Sequence, residues 1–176
     1  MIKLIHAALV AMPAFAAEPE PESPEERALR LQPVAAEIWD ASVNRPSGYS
    51  RAQWAAVNQA LAWHETRLAK YVHMARCDTG PRGKRECDSG KALGLFQVHR
   101  AACRPAWAVE PGSHDELRES AKCAARLLRY AHNRCVSRAP TALQGAFSGY
   151  AGASCTLRDA PARERTAWLI AARLGG

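Results

Sequence analysis

Glu65 places a carboxyl group where a helical pattern calls for a hydrophobe, an arrangement that makes a carboxyl group available for acid–base chemistry. The pattern runs Trp54, Val57, Leu61, Glu65, Leu68 and Val72, in steps of three and four that set these side chains on one face of a helix. Against apolar neighbours a carboxyl group loses hydration, and desolvation favours the protonated form that a general acid needs near neutral pH. The same position suits a structural Glu paired with an Arg, and the chain is rich in Arg. A second segment, Gly94-Leu95-Phe96-Gln97, lies downstream and weights the reading toward chemistry.

The elements that must position these residues are helical. Ser50 to Gln53 reads as a capping box, and Asn44-Arg45-Pro46-Ser47-Gly48 breaks the chain before it. The Glu65 pattern is expected to stop near Ala75, ahead of a loop bounded by Cys77 and Cys87. Ser113 to Glu116 reads as a second capping box, opening a helix with the stripe Leu117, Ala121, Ala124, Leu128 and Ala131. Pro140-Thr141 precedes a helix from Ala142 to about Phe147, and Asp159 with Pro161 opens a final one ending at Gly175-Gly176. No clear strand appears, although the stretch from Cys77 to Lys91 has room for a small hairpin. The fold class expected is mainly α with at most a minor sheet, in one compact domain.

Composition points out of the reducing cytosol. Residues 1–17 resemble a signal peptide, with Lys3, an apolar centre through Val10 and Met12, and Ala14-Phe15-Ala16 as a small-x-small site. An ordinary N-terminal helix is the competing reading. The apolar stretch is too short to span a membrane, so no stable membrane insertion is expected. Residues 18–26 are acidic and Pro-rich and are expected to form a solvated tether, leaving residues 27–176 as the domain. Cys77, Cys87, Cys103, Cys123, Cys135 and Cys155 all follow the proposed cleavage point. An even number in an exported chain favours disulfides. Three bridges among six cysteines allow 15 pairings, and Cys77 with Cys87 is the favoured first pair because it closes a short loop. No Cys-x-x-Cys pair occurs, so no metal is expected, nor any cofactor.

Three ordered segments carry a family resemblance. Ala62-Trp63-His64-Glu65-Thr66-Arg67-Leu68, Ala92-Leu93-Gly94-Leu95-Phe96-Gln97-Val98 and Tyr150-Ala151-Gly152 resemble the ordered motifs of the lysozyme-like lytic transglycosylases. They match that family's Glu-Ser-x-Phe, Gly-Leu-Met-Gln-Ile and Tyr-Asn-Ala-Gly segments. Phe96 stands where Met is usual, Val98 where Ile is usual, and Lys91 where a Gly commonly precedes the Ala. In the third segment Tyr150 meets the family's Tyr only through a one-residue deletion. An alternative register puts Phe147-Ser148 on its Tyr-Asn.

The resemblance implies a lysozyme-like α+β fold and an exported monomer, periplasmic or secreted, that acts on peptidoglycan glycan strands with Glu65 as acid and base. Beside it, each residue has its own physical reading. Gly94 permits positive φ or the close approach of a sugar ring. Gln97 offers a donor and an acceptor to glycan hydroxyl and acetamido groups, or to structural partners. Phe96 reads as core before cleft wall. Tyr150 suits an N-acetyl group or Glu65, and equally a bond to backbone.

The expected reaction is lytic transglycosylation, with a hydrolytic lysozyme as the runner-up. Inverting hydrolysis needs a second carboxylate, for which Asp78, Glu86 and Asp88 are candidates, although their basic neighbours Arg82, Lys84 and Arg85 favour a solvated loop. Leu68 stands where a zinc-protease His-Glu-x-x-His helix needs its second His, and no Gly-x-Ser-x-Gly elbow occurs. His73, His99 and His132 read as surface or packing residues. The formal charge of +7 suits anionic envelope polymers, but no helix combines clustered Arg with stacking aromatics, so nucleic acid is not expected as a partner. A wall-binding or assembly protein without catalysis, serving an envelope or secretion apparatus, is the alternative from another class.

Overall fold

The computed structural model describes residues 1–13, 21–74, 87–152 and 154–175. It is mainly helical with one very small sheet. Helix α1 spans Ile2–Val10, α2 Pro24–Ala41, α3 Arg51–Thr66, α4 Lys70–His73 and α5 Cys87–Gly90. Strands β1 (Ala92–Leu93) and β2 (Val98–His99) follow, then α6 His114–Cys135, α7 Ala142–Ala151 and α8 Ala160–Arg173. No helix among the described residues is long and apolar enough to cross a membrane.

Helix α3 is the centre of the molecule. Trp54, Ala55, Ala56, Val57, Ala60, Leu61 and Ala62 are all buried, so the helix is apolar around most of its circumference, as a core helix must be. Its alanines let α8 pack closely along it, and α1, α2 and α6 also reach it. The polar residues it buries are tied to neighbours. Asn58 Nδ2 donates to Ser42 Oγ at 3.3 Å and to the Trp54 carbonyl at 2.9 Å, and Gln59 Nε2 donates to the Ile5 carbonyl at 3.4 Å.

The N-terminal segment is part of this packing. Ile5, Ala8, Leu9 and Met12, spaced by three, one and three, are buried, and His6 Nε2 contacts the Ala28 carbonyl at 2.7 Å. Residues 18–20 of the acidic stretch expected as a tether lie outside the described residues, and its later part, from Glu22, is tied to α2. Ser23 and Glu26 form a reciprocal capping box with Pro24 at the first turn of α2, and Glu22 pairs with Arg30 at 2.5 Å and Arg27 at 3.4 Å. A Ser-Pro-Glu-Glu run is a helix start, and it competes successfully with the disorder that its composition suggests.

Of the stretch Cys77–Lys91 that has room for a hairpin, residues 77–86 lie outside the described residues, and the hairpin among the described residues begins at Ala92. Ala92 pairs with His99 and Leu93 with Val98 in antiparallel register, so the connecting turn is Gly94 to Gln97. Residues 87–90 are instead a helical turn. Disulfides join Cys103 to Cys123 and Cys135 to Cys155, with Cα separations of 5.9 and 5.3 Å. Both therefore anchor α6, one to the segment after β2 and the other to the segment after α7. Cys77 of the expected Cys77–Cys87 pair lies outside the described residues. The Leu117, Ala121, Ala124, Leu128 and Ala131 stripe of α6 is buried as its spacing predicts.

Candidate active site

Glu65 sits in the last turn of α3, whose start is fixed by the Ser50 box: Ser50 Oγ accepts from Gln53 N–H at 3.1 Å and Ser50 N–H donates to Gln53 Oε1 at 2.8 Å. The helix does not continue to Ala75. Arg67 and Leu68 take φ of 55° and 56°, a left-handed break that costs free energy in residues other than Gly. Local bonds offset it. Arg67 N–H donates to the Trp63 carbonyl at 2.7 Å, its guanidinium lies 3.8 Å from the Trp63 ring centroid, and Leu68 N–H donates to Thr66 Oγ1 at 3.2 Å. Leu68 and Val72 are buried, but beyond the end of the helix that carries Glu65.

The carboxylate does not face a purely apolar wall. Its side chain is 17% exposed and Glu65 Oε1 accepts a charge-assisted bond from Nη1 of Arg163, on α8. Helix α8 packs along α3, which explains how the last helix delivers a guanidinium to this turn. Arg163 Nε also donates to Asp159 Oδ2 at 2.9 Å. Burial disfavours the charge on Arg163, but Glu65 and Asp159 outweigh it and hold its pKa above the ordinary Arg value.

The hairpin turn meets the end of α3 directly. Thr66 Oγ1, next to Glu65, is 2.9 Å from the Ala62 carbonyl and 3.4 Å from the Leu95 carbonyl. The turn is made by Gly94 at φ 65° and Gln97 at φ 49°, with Gln97 N–H and Nε2 both donating to the Gly94 carbonyl, at 3.1 and 2.9 Å. Gln97 Nε2 also contacts Cys87 Sγ at 3.4 Å, so the amide nitrogen is committed to the turn. Phe96 is 0% exposed and belongs to the core, which removes its side chain from the substrate-binding candidates. Its contribution to the site is its carbonyl.

Gly94 has a further reason to lack a side chain. A Cβ there would collide with the carboxylate of Glu116, which is 1% exposed. Glu116 was expected to complete a capping box. Ser113 Oγ does accept from Glu116 N–H at 3.1 Å, but the carboxylate accepts from Ser120 Oγ at 2.5 Å and from the Gly112 backbone. Burial raises its pKa, and these hydrogen bonds only partly oppose the rise.

Tyr150, near the end of α7, reaches the same turn: its hydroxyl donates to the Phe96 carbonyl at 2.6 Å. Burial, and then the negative charge of Glu65, drive its pKa well above the ordinary phenol value. Of the two motif registers, Tyr150 is therefore the residue that touches the turn, whereas Phe147 is in the core. Ser148 is buried too, and its Oγ has no hydrogen-bond partner among the described residues.

His64 completes the surroundings. Its Nε2 lies 3.0 Å from Thr166 Oγ1, whose own proton goes to the Ala162 carbonyl at 3.0 Å, so Nε2 must carry the hydrogen. Burial first, then Arg163 and Arg67, push its pKa down to about 4, with Asp159 opposing. His64 is neutral at physiological pH.

Arg163, Asp159 and Glu116 join the site through tertiary packing, with no motif of the sequence to mark them as site residues. The four-residue spacing of Asp159 and Arg163 marks a pair on one helix face, but nothing local connects it with Glu65. Of the carboxylates proposed as a second acid, Asp78 and Glu86 lie outside the described residues, and Asp88 is exposed with His99 Nε2 3.8 Å away. A cavity of about 480 Å³ between α7 and α8 is lined by Gln144, Pro161, Glu164, Arg165, Trp168 and Leu169 and does not include Glu65. Among the described residues no three His, Cys, Asp or Glu side chains converge as metal ligands would. No protein-family model, curated protein or solved structure matches this chain.

Proposed function

We propose that the chain is a peptidoglycan lytic transglycosylase that cleaves the β-1,4 bond between N-acetylmuramic acid and N-acetylglucosamine. The observation that carries this reading is convergence. Three separated segments meet at one place, with Thr66 beside Glu65 and Tyr150 on α7 bonded to successive carbonyls of the Leu95-Phe96 turn.

Glu65 in its protonated form gives its proton to the glycosidic oxygen as the C1–O bond breaks, and the leaving sugar departs as an alcohol. An oxocarbenium-like centre develops at C1, and the muramoyl acetamido group stabilises it. The Glu65 carboxylate then takes the proton of the same sugar's 6-hydroxyl while O6 bonds to C1. The product carries a 1,6-anhydro ring, no water is consumed, and Glu65 ends protonated as it began. One acid that alternates roles suffices, which suits a site in which Asp159, the carboxylate sharing a guanidinium with Glu65, is engaged with Arg163.

The test is digestion of isolated peptidoglycan by the oxidised protein and by Glu65→Gln, with released muropeptides identified by mass spectrometry. Glu65-dependent 1,6-anhydro ends are the expected result. Glu65-dependent reducing ends would make the chain a hydrolytic lysozyme. Wall binding without release by either protein would make it a binding module.

A further inference from the structure

Building on that reading, we infer that Arg163 is the positioning residue for Glu65 and that Asp159 holds Arg163 in place. Glu65 occupies the C-terminal turn of α3, where partial burial and the negative end of the helix dipole both oppose a carboxylate. A carboxylate needs a cation there, and the cation bonded to it comes from residue 163, 98 positions along the chain.

Arg163 is itself 7% exposed, and a buried guanidinium is tolerated only with its donors satisfied. Asp159 supplies that satisfaction from one helical turn away, through Oδ2 to Nε at 2.9 Å. Asp159 occupies the N-cap of α8, a position at which Asp ordinarily accepts a main-chain N–H, yet its side chain makes no cap bond. Its carboxylate is directed to Arg163 instead. The guanidinium is thus oriented by its own helix before it meets α3, and its planar fork has one donor for each carboxylate.

The bond to Glu65 is one-sided. Oε1 receives Arg163, while Oε2 has no hydrogen bond among the described residues. One oxygen is pinned and the other is left to face a glycosidic oxygen. When Glu65 gives up its proton, negative charge develops beside a cation already in place, which is the situation in which preorganised charge lowers a barrier. The other polar groups around the pair are committed elsewhere: Tyr150 to the Phe96 carbonyl, His64 to Thr166, and Arg67 to the Trp63 ring.

The experiment compares the wild type, Arg163→Ala, Arg163→Lys and Asp159→Asn in steady-state muropeptide release, with thermal unfolding to establish that each is folded. Displacement of a catalytic group by about 1 Å costs roughly 100-fold in rate, so Arg163→Ala should lose about that factor in kcat with KM little changed. Millimolar methylguanidinium should restore part of the Arg163→Ala activity and none of the activity of Glu65→Gln. Arg163→Lys guards against an Ala variant that does not fold: its single ammonium lacks the fork that serves both carboxylates, and its kcat should fall at least tenfold. Asp159→Asn should lose about tenfold. A folded Arg163→Ala with kcat within twofold of wild type overturns the inference, as does a loss that methylguanidinium does not relieve. Either result leaves Glu65-dependent cleavage standing. A wild type that cleaves nothing is a different failure, that of the proposed function, and it removes this inference with it.

Discussion

Tyr150 donates its hydroxyl to the Phe96 carbonyl at 2.6 Å, tying α7 to the turn that Thr66 joins to α3. The bond links two segments 54 residues apart and holds the turn from an element outside its own hairpin. Removing the hydroxyl leaves a buried carbonyl short of a donor, which costs about 1–2 kcal/mol. Tyr150→Phe should show that loss in urea unfolding and should release muropeptides more slowly. Unchanged stability would mean that the turn is held without α7.

Gly94 combines positive φ with the carboxylate of Glu116 against its open side. Gly94→Ala therefore meets both a backbone penalty of about 1–2 kcal/mol and a steric collision. The double variant Gly94→Ala/Glu116→Ala relieves the collision alone. It should recover part of the stability lost by the single Gly94 variant, measured by denaturant midpoint as a coupling between the two sites. Strict additivity would show that Glu116 does not press on the turn.

Acid should weaken the fold before carboxylates dominate. Burial, and then Arg30, push His73 from the ordinary 6.5 down to about 4, with Glu22 opposing. Between those values the unfolded chain binds a proton that the folded chain refuses, so stability rises with pH through this window and falls as pH drops from 6.5 toward 4. His73 contributes up to about 3 kcal/mol at the low end, and His64 acts in the same direction. Urea midpoints across this range should fall with acidity for the wild type and less steeply for His73→Gln. Parallel profiles would remove His73 from the account.

Ile5 and Leu9 of α1 are completely buried. A chain beginning at Glu18 lacks both, and burial of each such side chain is worth about 1.5–3 kcal/mol. The shortened protein should unfold at clearly lower urea concentration than the full chain, by several kcal/mol in total. A difference below about 1 kcal/mol would show that α1 is not packed in solution.

What the sequence disclosed was local. The Ser50 box, the stripe of α6 and the opening of α8 depend on residues within a few turns of one another, and each appears in the structure. The break at Arg67-Leu68 was hidden because Leu68 and Val72 continue the numerical pattern of α3, and burial by another route satisfies the same hydrophobicity. The hairpin was hidden because two-residue strands carry no alternation to detect. Glu116 looked like a cap because its spacing from Ser113 is that of a cap; only the neighbouring Gly94, from a distant segment, reveals the inward turn of its carboxylate. Glu65 was recognisable as an acid out of place, but its cation was not, since helix packing rather than spacing brings residue 163 to residue 65.

That pairing also fixes an order of assembly. A ribosome delivers Glu65 long before α8 exists, so a growing chain carries the carboxylate with no guanidinium to meet it. Helix α8 spans Ala160–Arg173, about a hundred residues after the carboxylate that Arg163 pairs with. The Glu65–Arg163 contact therefore closes only after α8 has been made, and a product cut short before α8 has every residue of the hairpin turn and of α7 yet lacks the contact that joins α3 to α8.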